Sequence, residues 1–269
     1  MKRLGFLVLV VCLAFGVSAS PISPPHSNAL WRVVHGLCMT DMMLSGAPAP
    51  CLEVSRRGGY AVLRNPQAST EVLLVPTVQV VGIESPDLEA PGAPNYWQEA
   101  WDSRRYFEER AGRSVPREDI GMAVNSVFGR SQDQLHIHID CVSPDVKVAL
   151  AAHADEIGEV WAPLSFDLAG RTYRARRVIG EALGVRDPFK LLASGDPEAG
   201  ADMGRQTLAV VGIRFADGRP GFVLLAATGG TPENPDGASE SLLDHSCAVL
   251  EQSSSDVPGG RAFKEAGVG

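Results

Sequence analysis

Polar and apolar positions alternate most regularly along Gln134-Leu135-His136-Ile137-His138-Ile139-Asp140. A period of two marks a strand. It sets Gln134, His136, His138 and Asp140 on one face and Leu135, Ile137 and Ile139 on the other, with the strand running over residues 135–142. Shorter apolar runs predict a hairpin from residues 60–63 and 71–75 about the Asn65-Pro66 turn, and residues 78–83 continue it as a further strand. Residues 120–125 and 173–179 read as strands. Residues 207–215 and 221–227 form a second hairpin about Asp217-Gly218. Helical spacing begins over residues 29–37. It recurs from the N-cap Asn95 to the stop at Gly112, with Trp97 and Trp101 on the core side, and again over 145–161, 188–193 and 239–250. Residues 84–94 and 126–134 are punctuated as loops.

Hairpins and scattered helices without regular strand–helix–strand alternation predict an α+β fold, an antiparallel sheet with packed helices. Each half of the chain carries one hairpin and one helix, the pattern of a degenerate internal duplication. One domain is expected over residues 29–251, after a linker at 20–28 and before a Ser- and Gly-rich flexible tail at 252–269.

Composition narrows the class. Apolar residues make up 45% of the 269 and charged residues 21%, which excludes a disordered chain, a collagen-like repeat and a multi-span membrane protein. With 24 Lys and Arg against 32 Asp and Glu the chain carries −8, so no nucleic-acid partner is expected. Lys2 and Arg3, the apolar run 4–17 and the small residues before Ser20 and Pro21 follow the order of a secretory leader. The run is shorter than the roughly 20 residues of a spanning helix. Residues 1–19 therefore read as a cleaved signal, with a retained membrane anchor as the alternative. Val11 before Cys12 argues against lipid attachment there.

Export gives Cys38, Cys51, Cys141 and Cys247 a disulfide reading. Three pairings exist. The Pro-rich loop 46–50 favours Cys38–Cys51, which leaves Cys141–Cys247. No Cys-x2-Cys spacing supports zinc.

The row of polar groups on residues 134–140 needs a ligand or water. Two histidines at i, i+2 could share an ion, but no further ligand is spaced nearby, so no metal and no cofactor is expected. Neutral imidazole is an available nucleophile near pH 7. No phosphate-loop or Gly-x-Ser-x-Gly motif offers another route. His26, His35, His153 and His245 read as linker, surface or structural groups.

The stretch is similar to the histidine-triad signature, His-φ-His-φ-His-φ-φ with φ apolar, with Gln134 in the first triad position. More narrowly, residues 31–250 resemble the CDP-diacylglycerol pyrophosphatase family. The matches are Gly59-Tyr60, Val75-Pro76-Thr77, Gly82 to Pro86, Asn125-Ser126, Gly129-Arg130-Ser131-Gln132, His136-Ile137-His138-Ile139, Cys141, Pro144-Asp145-Val146, Ala175-Arg176-Arg177-Val178 and Asp244-His245. The resemblance implies hydrolysis of CDP-diacylglycerol to CMP and phosphatidate. It makes His136 the nucleophile, with His138 on a phosphate oxygen, Ser131 near the bridging oxygen, and Asn125, Gln132 and Gln134 positioning substrate. Backbone donors of the turn at 129–132 and one cation, Arg176 or its neighbour Arg177, would stabilise developing charge. A membrane surface is the implied partner, at the periplasmic face of the inner membrane, and the oligomeric state is not legible. Two other readings remain: a general nucleotide-diphosphate hydrolase, and a non-enzymatic exported nucleotide- or lipid-binding protein.

Overall fold

A computed structural model describes residues 27–231 and 236–255. The leader at 1–19, most of the linker, His26 and the tail from 256 on lie outside the described residues. The strands are β1 (Glu53–Ser55), β2 (Tyr60–Arg64), β3 (Val72–Pro76), β4 (Ile120–Val124), β5 (Ile137–Cys141), β6 (Ala162–Leu168), β7 (Arg171–Ile179), β8 (Gln206–Arg214) and β9 (Pro220–Thr228), of which β1 and β6 are not foreseen from the sequence. All pair antiparallel in one sheet, in the order β1-β2-β3-β5-β4-β8-β9-β7-β6. The α+β expectation holds. Outward from the β4–β8 pair, the order is β4, β5, β3, β2 and then the extra edge strand β1 on one side, and β8, β9, β7, β6 on the other. Each half is a hairpin, a helix and a second strand pair, which is the arrangement a repeated unit would give.

The first helix, α1, joins Ala29–Trp31, a wider π-type stretch Arg32–Cys38, and Met39–Ser45. α2 (Tyr96–Ala111) starts where Asn95 accepts from Gln98 N at 3.2 Å, and it stops at Gly112, whose φ of 69° suits glycine. The remaining helices are α3 (Pro144–His153), α4 (Pro188–Gly195), α5 (Pro197–Ala201) and α6 (Ala248–Ser255).

Four expectations are corrected. Residues 78–83 form no strand: Gln134 Nε2 donates to Val78 O and to Pro76 O before it, Val80 N donates to Gln134 Oε1, and the backbone bond from Leu135 N to Val80 O is not continued as a ladder. The helix expected over 145–161 ends at His153. β6, unforeseen, follows as an exposed edge strand with Pro163 in it. The helix expected over 239–250 is broken: a short turn at Ser239–Leu242 is followed by Leu243 bridging Val142, and Cys247 at φ 53° separates both from α6. Finally, α6 reaches Ser255, so the expected tail begins later than residue 252.

Cross-strand register fixes the two faces. Leu73, His138, Ala123, Ala209, Leu225 and Ala175 are partners in turn across the sheet, and so share a face. Val72, Ile139, Met122, Val210, Leu224 and Arg176 form the adjacent row on the other face. That second face packs against Trp97, Trp101 and Phe107 of α2 and Phe189 and Leu192 of α4, the core places foreseen for the tryptophans. The first face is covered in two patches. Val34 and Cys38 of α1 lie on Ala61, Leu63 and Val75. Val146 and Leu150 of α3, with Leu242, lie on β8 and β9. Between the patches, above β5 and the end of β4, the sheet is open to a cavity. Disulfides join Cys38 to Cys51, fastening α1, and Cys141 to Cys247, fastening the segment before α6 to β5.

Candidate active site

Every residue from Gln134 to Cys141 is buried, so the polar row is enclosed rather than solvated. His136 and His138 lie with ring centroids 4.9 Å apart at 61°. His136 Nδ1 is 2.8 Å from Gln134 O. A carbonyl can only accept, so Nδ1 carries the proton and the lone pair is left on Nε2. Burial, and then the charge of His138, push the His136 imidazole down to about 4. His136 is therefore neutral at pH 7.

His138 has the opposite character. Its Nδ1 is 2.6 Å from Glu71 Oε1, and its Nε2 is 3.5 Å from Glu240 Oε2. Burial alone would lower its pKa, but the bond to Glu71 and the charge of Glu240 outweigh that and raise it. Burial would likewise raise Glu71, and the His138 bond and charge hold that carboxyl low instead. The pair is a buried ion pair, and Asn65 also donates to Glu71.

Asn125 Nδ2 donates to Glu240 Oε2 at 2.7 Å, and Glu240 N donates back to Asn125 Oδ1 at 3.3 Å. His245 closes the cluster. Its Nδ1 lies 2.8 Å from Asp140 Oδ2 and its Nε2 3.7 Å from Glu240 Oε1, while Thr70 Oγ1 donates to Asp140 Oδ1 at 2.7 Å. The loop after β4 meets this segment closely: a Cβ on Gly129 would stand 2.5 Å from the Gly237 backbone. Glu71, His138 and Glu240 bring their ligand-type atoms within 4.8 Å of one another. However, His138 addresses the two carboxylates through different nitrogens, which is an ion-pair geometry and not a shared coordination point.

The cavity in front of these groups has a volume of about 560 Å³. Asn125, Ser131, Gln132, His136, His138 and Glu240 form its polar side, Leu30, Val33, Pro50, Leu63 and Leu73 its apolar side, and Arg64 lines it too. Of the residues expected from sequence, His136, His138, Asn125, Ser131 and Gln132 come together here. Gln132 also uses its Oε1 to accept from Leu30 N at 3.1 Å.

Two expected residues do not join them. Gln134 is fully buried, with its amide spent on the backbone of residues 76–80, and it does not line this cavity. Arg176 lies on β7, in the row that faces α4 on the opposite side of the sheet, with three strands between it and β5. Arg177 shares the histidine face but sits over Phe215 at the far end. Arg130 is buried against Glu84 at 2.7 Å and Asp133 at 3.0 Å. The amides of Gly129 and Arg130 are spent on Ser126 O, which leaves fewer turn donors than expected.

The model of the CDP-diacylglycerol pyrophosphatase family matches residues 25–251. A CDP-diacylglycerol pyrophosphatase from Yersinia pestis is 38% identical over 244 residues, covering 91% of this chain and 93% of that protein. The chain belongs to the CDP-diacylglycerol pyrophosphatase family. The expected hydrolase class is thereby borne out. A solved DUF4931 family protein from Bacillus cereus, 11% identical, covers 66% of this chain and 84% of its own at a TM-score of 0.39, a likeness too faint to carry weight.

For a member of the pyrophosphatase family, sequence reasoning missed three functional candidates: Glu71, Glu240 and the His245–Asp140 pair. Glu71 had a signal. It lies just before β3, two residues ahead of Leu73, the direct partner of His138, so strand parity puts it on the histidine face. His245 stands in the Asp244-His245 match but reads as structural, and Glu240, from beyond β9, had no signal.

Proposed function

We propose that this chain hydrolyses CDP-diacylglycerol through attack by His136 Nε2 on the cytidylyl phosphorus. The bond from Nε2 to phosphorus forms as the phosphorus–oxygen bond to phosphatidate breaks. Water then attacks the same phosphorus, the phosphorus–nitrogen bond breaks, and CMP leaves with His136 neutral again. The observation that carries this reading is the donation from His136 Nδ1 to Gln134 O, which fixes the tautomer with a free lone pair on Nε2. Cationic His138 stabilises charge on the phosphoryl oxygens, and Asn125 and Ser131 orient the diphosphate. An incoming phosphoryl oxygen competes with the Glu240 carboxylate for the Asn125 amide, whereas His138 Nε2 has no hydrogen-bond partner among the described residues and is open to it. No metal or cofactor is part of the scheme.

The apolar side of the cavity favours a lipid nucleotide over a soluble dinucleotide. Export to the periplasmic face of the inner membrane, either held by residues 1–19 or released after their cleavage, belongs to the same proposal. It is supported by the order of residues 2–21 and by the two disulfides. Among the described residues, no helix is long and apolar enough to cross a membrane.

The test is mass spectrometry of protein quenched during turnover of CDP-diacylglycerol. A CMP adduct on His136 is expected, together with a loss of several orders of magnitude in kcat for His136→Ala while nucleotide affinity persists. An adduct elsewhere, or turnover retained by the variant, sinks the mechanism. Cleavage of soluble dinucleotides alone would favour a general nucleotide-diphosphate hydrolase.

A further inference from the structure

The stretch from Gly36 to Pro50, the end of α1 and the loop after it, contains a single charged residue, Asp41, in a chain that is 21% charged. Asp41 is half-buried and accepts from Ala49 N at 3.0 Å. The outer surface carries Leu37, Met43 and Leu44, exposed by 53%, 66% and 83%. α1 and its loop also build the cavity: Leu30 and Val33 of α1 and Pro50 of the loop line its apolar side. One helix therefore carries both the uncharged outer surface and part of the wall that receives the lipid part of the substrate.

The start of α1 is pinned to the cavity rim. Ser27 N donates to Ser131 O at 3.0 Å, and Asp133 N donates to Ser27 O at 2.9 Å. The apolar run 4–17 is separated from that point by residues 18–26 alone, a reach of at most about 30 Å. An N-terminus held in or near a bilayer would keep the cavity mouth close to it.

We propose that the outer face of α1, with Leu37, Met43 and Leu44, docks on a phospholipid bilayer and sets the cavity mouth against the leaflet that holds the substrate. This rests on the lipid-nucleotide reading above. The contact is apolar: a net charge of −8 gives no attraction to an anionic surface, whereas buried Leu and Met side chains do. The diacylglycerol part then stays in its leaflet while the diphosphate reaches His136.

The test uses the full chain with Leu44→Trp and vesicles of brominated or ordinary phosphatidylcholine. Emission at position 44 should be quenched by the brominated lipid beyond the wild-type background. Val185→Trp, a 99% exposed site on the helical side of the sheet, should not respond. No quenching at 44, or equal quenching at 185, overturns the proposal. So does a concentration-dependent blue shift at 44 without vesicles, which would assign the face to a second copy of the chain. Independently, the triple variant Leu37→Ser, Met43→Ser, Leu44→Ser should lose about tenfold or more in kcat/KM on CDP-diacylglycerol in phosphatidylcholine vesicles, with kcat/KM on CDP-glycerol unchanged. Equal effects on both substrates also overturn it. The quenching needs no turnover. Quenching without hydrolysis would fail the lipid-nucleotide reading, and hydrolysis without quenching would fail the docking surface.

Discussion

Two imidazoles on one strand have pKa values moved in opposite directions, His136 down and His138 up. In the mechanism proposed above, His136 is unprotonated when it attacks and His138 is protonated to steady the phosphoryl oxygens. Turnover should therefore fall as pH drops through about 4, where His136 protonates, and fall again as pH rises through the raised pKa of His138. Glu71→Gln removes the anion that holds His138 charged. A kcat–pH profile of that variant should show its alkaline limb moved to lower pH with the acid limb little changed, and an unmoved alkaline limb would detach Glu71 from the role. Arg176→Met should leave kcat/KM on CDP-diacylglycerol at the wild-type value, because the guanidinium lies on the other side of the sheet. The histidines were legible because a period of two is written into neighbouring residues. Arg176 was misplaced because strand parity says which of two neighbours shares a face but not which face it is, nor how many strands lie between. Glu240 was hidden because about a hundred residues separate it from His138, and nothing local records that they meet.

At the level of elements, β5 carries both a liability and a brace. The folded-state pKa of His136 is about 4, below the ordinary 6.5, so its contribution to stability is present above 6.5 and lost as pH falls towards 4, by up to about 3 kcal/mol. His138 is raised, so its contribution is present below 6.5 and lost as pH rises through its folded value. Thermal unfolding followed against pH should thus show both limbs, and His136→Gln should flatten the acid one alone. Gln134 acts on the neighbouring element. Replacing it with Ala strands the carbonyls of Pro76 and Val78 and the amide of Val80, and should destabilise the fold by about 2 kcal/mol in chemical denaturation. Residues 78–83, held in part by the same amide, read as a strand and are not one. Apolar alternation does not record whether a segment's backbone meets a strand ladder or is held in part by a side chain, and Val78 and Val81 are exposed. β6 escaped notice for a different reason: it is an exposed edge with little to bury.

Across the whole molecule, two covalent links hold distant parts of the site in place. Cys141–Cys247 closes a separation of 106 residues and brings the segment with Glu240 and His245 against β5. Loss of that bond in a Cys141→Ala, Cys247→Ala variant should cost about 4.7 kcal/mol by the loop-entropy argument and lower kcat as well, measured by denaturant titration beside an activity assay. The class, the hairpins, α2 and both cysteine pairings were readable along the chain, since each rests on local spacing or on simple counting. The mirrored order of the strands was only hinted at, because topology is decided by which edges meet.

That mirrored order has a consequence for stoichiometry. β9 occupies in one half the place that β5 occupies in the other, and its residues on the histidine face, Val223, Leu225 and Ala227, are buried hydrocarbon beneath α3. In the proposed mechanism two similar scaffolds therefore supply one reactive ring, and one chain should take up one equivalent of cytidylyl label, never two.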